Sequence, residues 1–165
     1  MRALLLQSIV LLAILFGLPL AAADADTERL KELDAFWAKI SRAVKEGDFE
    51  SYKSTCHTEG VLVAGIKKMS QPLSKALERW KHEFDDTKSG KIKASVEFRF
   101  SQRMGDETTA HETGIFLYSS TDGGGKQEYI HFELLLVKRD GWKTLMEYQK
   151  SKATREEWES LKSVN

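Results

Sequence analysis

The stretch Glu128–Gln149, EYIHFELLLVKRDGWKTLMEYQ, decides how this chain folds. Two runs flank Arg139-Asp140-Gly141, and Asp-Gly provides the positive φ that a tight hairpin turn requires. The even positions carry Ile130, Phe132, Leu134 and Leu136, then Trp142, Thr144, Met146 and Tyr148. Successive side chains on a strand point to opposite faces, so one face of the predicted hairpin is almost wholly apolar. That face needs cover, and the residues before it supply strands to extend it and helices to lie on it.

Working back from the hairpin, Thr121-Asp122-Gly123-Gly124-Gly125 reads as a turn. A strand is expected from about Thr108 to Ser119, and another holds Val96, Phe98 and Phe100, with Gly105-Asp106 between them. The four strands form a meander. If each turn keeps even residues on one face, that face gathers Val96, Phe98, Phe100, Ala110, Glu112, Phe116, Tyr118, the even residues of the hairpin and little else. The odd face gathers Arg99, His111, Ile115, Leu117, Tyr129, His131, Glu133, Leu145, Glu147 and Gln149. A slip of one residue would exchange a strand's whole set, so the agreement across four strands favours this register. A bulge before Trp142 is expected to keep the parity. Each large side chain buried on the even face contributes roughly 1.5–3 kcal/mol of transfer free energy.

The cover comes from the amino-terminal half. Asp26 and Thr27 offer an N-cap, and Leu30, Leu33, Phe36, Trp37, Ile40 and Val44 make one apolar stripe at helical spacing. Gly47 ends that helix, and Asp48 caps a short second one bearing Phe49, Tyr52 and Cys56. Val61-Leu62-Val63-Ala64-Gly65 is a brief strand. Ser70, with Pro72 in the first turn, opens a third helix carrying Leu73, Leu77, Trp80 and Phe84, which Ser89-Gly90 closes. Thr154 and Glu157 form a capping box for a final helix with Trp158 and Leu161. The fold class is α+β: a curved antiparallel sheet, a four-strand meander plus a short strand, covered by helices.

Residues 1–23 stand apart. Arg2 precedes an apolar run from Ala3 to Leu20, interrupted by Gly17 and Pro19, and Ala21-Ala22-Ala23 is an A-x-A cleavage pattern. This reads as a secretory signal cut after Ala23, with Ala25 the alternative, leaving one domain over residues 24–165. The expected location is outside the cell or in the periplasm, with no membrane association after cleavage. The chain has 25 basic and 25 acidic residues, so no broad basic field is available for nucleic acid. Cys56 is the only cysteine and cannot form an intramolecular disulfide, and Asn165, the only asparagine, leaves no glycosylation sequon.

The order of elements resembles the SnoaL-like branch of the nuclear transport factor 2-like superfamily. The resemblance rests on a long helix, a short helix opening Gly47-Asp48-Phe49, Glu59-Gly60-Val61-Leu62-Val63, a third helix, the meander and Arg139-Asp140-Gly141-Trp142-Lys143. It covers nearly all of the chain after residue 23 except the final helix. It implies a cone in which the sheet wraps a pocket closed by helices, and frequent dimerisation through the sheet's outer face. Members include isomerases, dehydratases, hydrolases and binding modules, so the fold alone leaves function open. Steroid-isomerase members place a general-base Asp near the end of the first strand. The matching stretch here, Val63-Ala64-Gly65, has no acid.

Glu112 is the one carboxylate expected on the apolar face, and burial would raise its pKa and suit it to acid–base work. Trp37, Tyr52, Trp80, Phe98, Phe116, Tyr118, Phe132 and Tyr148 are expected to line the pocket. Arg99, His111, Ile115, Tyr129, His131 and Glu133 are expected to form a homodimer face, mixing apolar and polar groups as subunit interfaces do. No metal site is expected, because the spacings that bind zinc are absent; His57-Thr58-Glu59 lacks a P-C-x-x-C partner. Gly123-Gly124-Gly125 lacks the Lys-Ser/Thr of a phosphate loop, and no cofactor is expected. Cys56 is expected as a small core residue. The functional expectation is an exported domain that binds a small apolar molecule or a protein partner. The alternative is a cofactor-free lyase or isomerase using a pocket carboxylate.

Overall fold

The structure, a computed structural model, describes residues 18–163, with side chains for 26–161 apart from position 123. Most of the expected leader lies outside the described residues. Helix α1, Leu18–Glu46, is already formed at Leu18 and runs through the expected cleavage site. The start expected at Asp26–Thr27 is therefore corrected. Ala21–Ala23 and Ala25 are strong helix formers, and no Gly or Pro interrupts the backbone between them and Leu30.

Helix α2 spans Phe49–Lys53, capped by Asp48, whose side chain accepts from the Ser51 N–H at 3.0 Å. Cys56, expected on this helix, instead begins strand β1, Cys56–Ala64. Strand β2, Met69–Pro72, stands where Ser70 and Pro72 are expected to open the next helix, which starts instead at Leu73. Pro72 has φ −53° and ψ 139° and stands just before α3, Leu73–Lys88. A proline fits an edge strand because its missing N–H has no partner there to lose. The meander follows as β3, Ala94–Gly105; β4, Thr109–Ser120; β5, Lys126–Arg139; and β6, Gly141–Lys152. Gly141 has φ +87°, as the Asp-Gly turn requires. Helix α4, Arg155–Ser160, carries the capping box of Thr154 and Glu157, and strand β7, Lys162–Ser163, follows.

The seven strands form one sheet in the order β2-β1-β6-β5-β4-β3-β7. All neighbours are antiparallel except β1 and β6, which run parallel. The apolar stripe of α1 lies on the inner face: Leu33, Phe36, Trp37 and Ile40 join Val96, Phe100, Phe132, Leu134, Leu136 and Trp142 in the main core. A smaller cluster of Leu62, Leu73 and Ala76 seats α3 against β1, with Cys56 and Trp80 packed on it. The α+β architecture and the helical cover agree with the sequence reading.

The register departs from simple parity at three points in the meander. In β3, Phe100 pairs with Gly114 but Gln102 pairs with Thr113, so Ser101 is an extra residue. In β6, Thr144 pairs with Leu136 and Met146 with Leu135, which makes Leu145 extra; Lys150 is extra in the same way. No bulge is needed before Trp142, where Lys138 and Trp142 pair directly. Each bulge turns the following residues to the opposite face. Arg103 thereby comes inside opposite Glu112, and Glu147 and Gln149 come inside opposite Leu134 and Phe132. Met146 and Tyr148, expected inside, take outward positions opposite Leu135 and Glu133.

Candidate functional site

The inner face of the sheet and the facing sides of the first three helices border a cavity of about 660 Å3. That volume falls within the roughly 300–1,000 Å3 usual for small-molecule sites. Trp37, Tyr52, Trp80, Phe98, Phe116, Tyr118 and Phe132 all border it. Trp37 and Phe132 are almost wholly buried in the wall, whereas Tyr52, Trp80, Phe98, Phe116 and Tyr118 remain partly accessible. Tyr148, the eighth residue expected there, does not border the cavity, because the Leu145 bulge turns it away.

Glu147 and Gln149 occupy the positions that parity had given to Met146 and Tyr148. Gln149 Nε2 donates to Glu147 Oε1 at 2.6 Å. Burial raises the Glu147 pKa, against the opposing effect of the Gln149 hydrogen bond. Tyr52 and Cys56 lie near enough to feel the same carboxylate. Burial first, and then the charges of Glu147 and Cys56, push the Tyr52 phenol well above its ordinary value. The Cys56 thiol is pushed up to about 12, mainly by burial and further by Glu147. The reactive form of cysteine is the thiolate, so Cys56 is suited to packing and not to nucleophilic attack. Native protein at pH 8 should therefore react with iodoacetamide about a thousandfold more slowly than the denatured chain. Complete native labelling within minutes would contradict this environment.

Glu112 sits elsewhere. It is 0% exposed, yet it does not border the cavity. Arg103 Nε donates to its Oε1 at 2.6 Å, and the Trp37 indole N–H donates to its Oε2. Arg103 Nη1 also donates to Asp34 Oδ1 at 2.6 Å. These bonds clasp α1 to β3 and β4 and engage both carboxylate oxygens. Among the described residues, four carboxylates do border the cavity, Glu83, Asp122, Glu128 and Glu147, and Glu147 is the one that the β6 bulge turns inward. Its sequence signal was the break in alternation at Leu145-Met146, two consecutive apolar residues that mark the bulge.

The outer face carries the residues expected to meet a second copy, and the chain's own carboxy terminus engages several of them. Trp158 of α4 packs under the Arg99 guanidinium at 4.7 Å and against Tyr129 at 6.0 Å. Arg99 Nη1 also donates to the Trp158 carbonyl at 3.1 Å. His131 lies 3.5 Å from Glu157, and His111 lies 3.4 Å from Glu133. Ile115 is 2% exposed. The final helix lies outside the resemblance, and Trp158 and the capping box seat it here.

Among the described residues, no group of three His, Cys, Asp or Glu side chains could hold a metal ion, and no helix is long and apolar enough to cross a membrane. An open depression of about 820 Å3 beside the β4–β5 turn is bordered by Lys45, Lys93 and Lys126 with serines and threonines. It contains none of the residues singled out above.

Comparison with known proteins places this arrangement. No curated protein matches the chain in sequence. Among solved structures, an NTF-2 like protein of unknown function from Shewanella oneidensis MR-1 is 16% identical, with a TM-score of 0.59 over 73% of this chain and 97% of that one. An NTF2-like protein with a cystatin-like fold from Novosphingobium aromaticivorans is 13% identical, with a TM-score of 0.62 over 81% and 89%. A putative calcium/calmodulin dependent protein kinase II association domain from Xanthomonas campestris is 18% identical, with a TM-score of 0.51 over 80% and 89%. At these identities the likeness is one of fold, and it bears out the nuclear transport factor 2-like resemblance drawn from the ordered motifs. The family model of the calcium/calmodulin dependent protein kinase II association domain matches residues 29–154, and the chain belongs to that family.

Proposed function

We propose that this protein is a binding module that takes a small, mainly apolar molecule into the cone. The observation that carries the reading is the cavity itself, with Tyr52, Trp80, Phe98, Phe116 and Tyr118 partly accessible along its wall. Ile66 and Met69 border the same cavity and are 46% and 42% exposed. They give the cavity an apolar rim on the β1–β2 side, where an apolar ligand gains contact as it enters. Export through the leader of residues 1–23 belongs to this proposal, and would place the module where it meets molecules from outside the cytoplasm.

The test is titration with 1-naphthalenemethanol, followed by the fluorescence of the cavity tryptophans. Saturable quenching that is lost in Phe116→Asp, with near-UV circular dichroism unchanged, supports the reading. Quenching that does not saturate, or that persists in the variant, counts against it. A second reading is favoured by Glu147 alone: its raised pKa beside the Tyr52 phenol suits a general acid or base in a cofactor-free lyase or isomerase. Under that reading, Glu147→Gln abolishes turnover of a substrate that it still binds.

A further inference from the structure

Three of the four carboxylates that border the cavity, Glu83, Glu128 and Glu147, are partly buried, and Asp122 is exposed; Glu83 accepts from the Tyr118 hydroxyl and Glu128 pairs with Lys126 at 3.1 Å. The cationic residues that border the cavity are Lys67, Arg79, Lys126 and Lys152, and all four are exposed. Glu147 is partly buried, and the sole hydrogen bond to it among the described residues comes from the neutral Gln149 amide at Oε1. Oε2 has no donor among the described residues, and neither does the Gln149 carbonyl oxygen. Two acceptors, one of them ionisable, therefore converge on the interior beside aromatic rings. Tyr52 and Trp80 meet nearly at right angles with centroids 6.1 Å apart, and the Tyr52 and Phe84 rings lie 5.1 Å apart.

A carboxylate beside aromatic faces is the chemistry that recognises an ammonium group. The ring quadrupole attracts the cation, and the acid supplies a charge-assisted hydrogen bond. A carboxylate left without a cation in such a place is costly, and a ligand that brings one removes the cost. An anionic head would find its partners among the exposed lysines at the rim and would be repelled by Glu147 inside.

Resting on the binding function proposed above, we infer that the ligand is an organic amine: an aromatic or alicyclic body filling the cavity, with a protonated nitrogen that donates to Glu147 Oε2 and the Gln149 carbonyl. Gln149, in this assignment, holds Glu147 in place through one end of its amide and reads the ligand through the other.

The experiment compares three probes with one body and different heads: 1-naphthylmethylamine, 1-naphthalenemethanol and 1-naphthoate, titrated calorimetrically at pH 7 into wild type and Glu147→Gln. In wild type the amine should bind about tenfold or more tighter than the alcohol, and the naphthoate weakest. Glu147→Gln should bring the amine down to within about threefold of the alcohol, whose neutral hydroxyl the glutamine amide can still meet. Equal affinity of amine and alcohol in wild type would overturn the ammonium assignment and leave the apolar cavity standing. Tightest binding of naphthoate would overturn it too, and assign the head group to the rim lysines. Saturable binding of none of the three would overturn both this inference and the binding function. The wild-type comparison decides the matter even where the variant fails to fold.

Discussion

Glu112→Ala is expected to lower the stability of the folded chain by about 3 kcal/mol, the lower end of the cost of breaking a buried ion pair, because the partly buried Arg103 guanidinium keeps Asp34. The midpoint of thermal unfolding should fall by about 10 °C. Arg103 would retain Asp34, which is only half-buried, and the Trp37 indole N–H would lose its acceptor. The test is a double-mutant comparison by urea denaturation. Arg103→Met with Glu112→Leu should recover most of the loss, because apolar groups of similar volume replace a buried ion pair at little cost. A single Glu112→Ala variant as stable as wild type would show that the clasp contributes nothing. Glu112→Gln, which keeps one acceptor for Trp37, should fall between. The prediction also separates Glu112 from chemistry: its variants change unfolding, and those of Glu147 change ligand binding.

Gly114→Ala is the second large effect, expected at about 3 kcal/mol, the upper part of the range for overpacking a close-packed site. A Cβ at this position would lie 2.0 Å from the Arg99 carbonyl oxygen and 3.0 Å from the Phe100 Cα. Both are backbone atoms, so no side chain can swing aside. The strands must separate at the point where the Ser101 bulge is formed. The expected sign of this is faster amide hydrogen exchange along β3 and β4 than along β1. Exchange unchanged in both strands would mean that the bulge absorbs the methyl group. Because the bulge also turns Arg103 inward, this variant should weaken the Arg103–Glu112 pair, and its cost should not add to that of Glu112→Ala.

The hairpin Glu128–Gln149 shows how far pattern carried the reading. Alternation in β5 is clean, and Ile130, Phe132, Leu134 and Leu136 all face the core as parity requires. In β6 the same rule gave Trp142 and Thr144 correctly and then inverted Met146, Glu147, Tyr148 and Gln149. One extra residue at Leu145 accounts for all four. The stripe on α1 and the caps at Asp48, Thr154 and Ser89 were legible because they depend on neighbours within one or two turns. Strand β2 was missed because Ser-x-Pro before an apolar periodic run is also how a helix begins, and its pairing partner lies in β1. Glu112 was correctly seen as buried. Its partner was missed because Arg103 is odd-numbered, and only the Ser101 bulge brings it to the inner face.

The sequence by itself determined the α+β class, the order of the elements, the apolar face of the sheet and the helical stripe that covers it. Those features follow from local propensity and from periods of 2 and 3.6, which each segment carries within itself. Tertiary contacts decide which residues of β6 face the cavity. A β-bulge is set by how two strands fit around a shared core, and a single extra residue exchanges inside for outside over the rest of the strand. Glu112 thus became half of an ion pair that clasps α1 to the sheet. Glu147, near the end of the stretch that identified the fold, came inside to border the cavity.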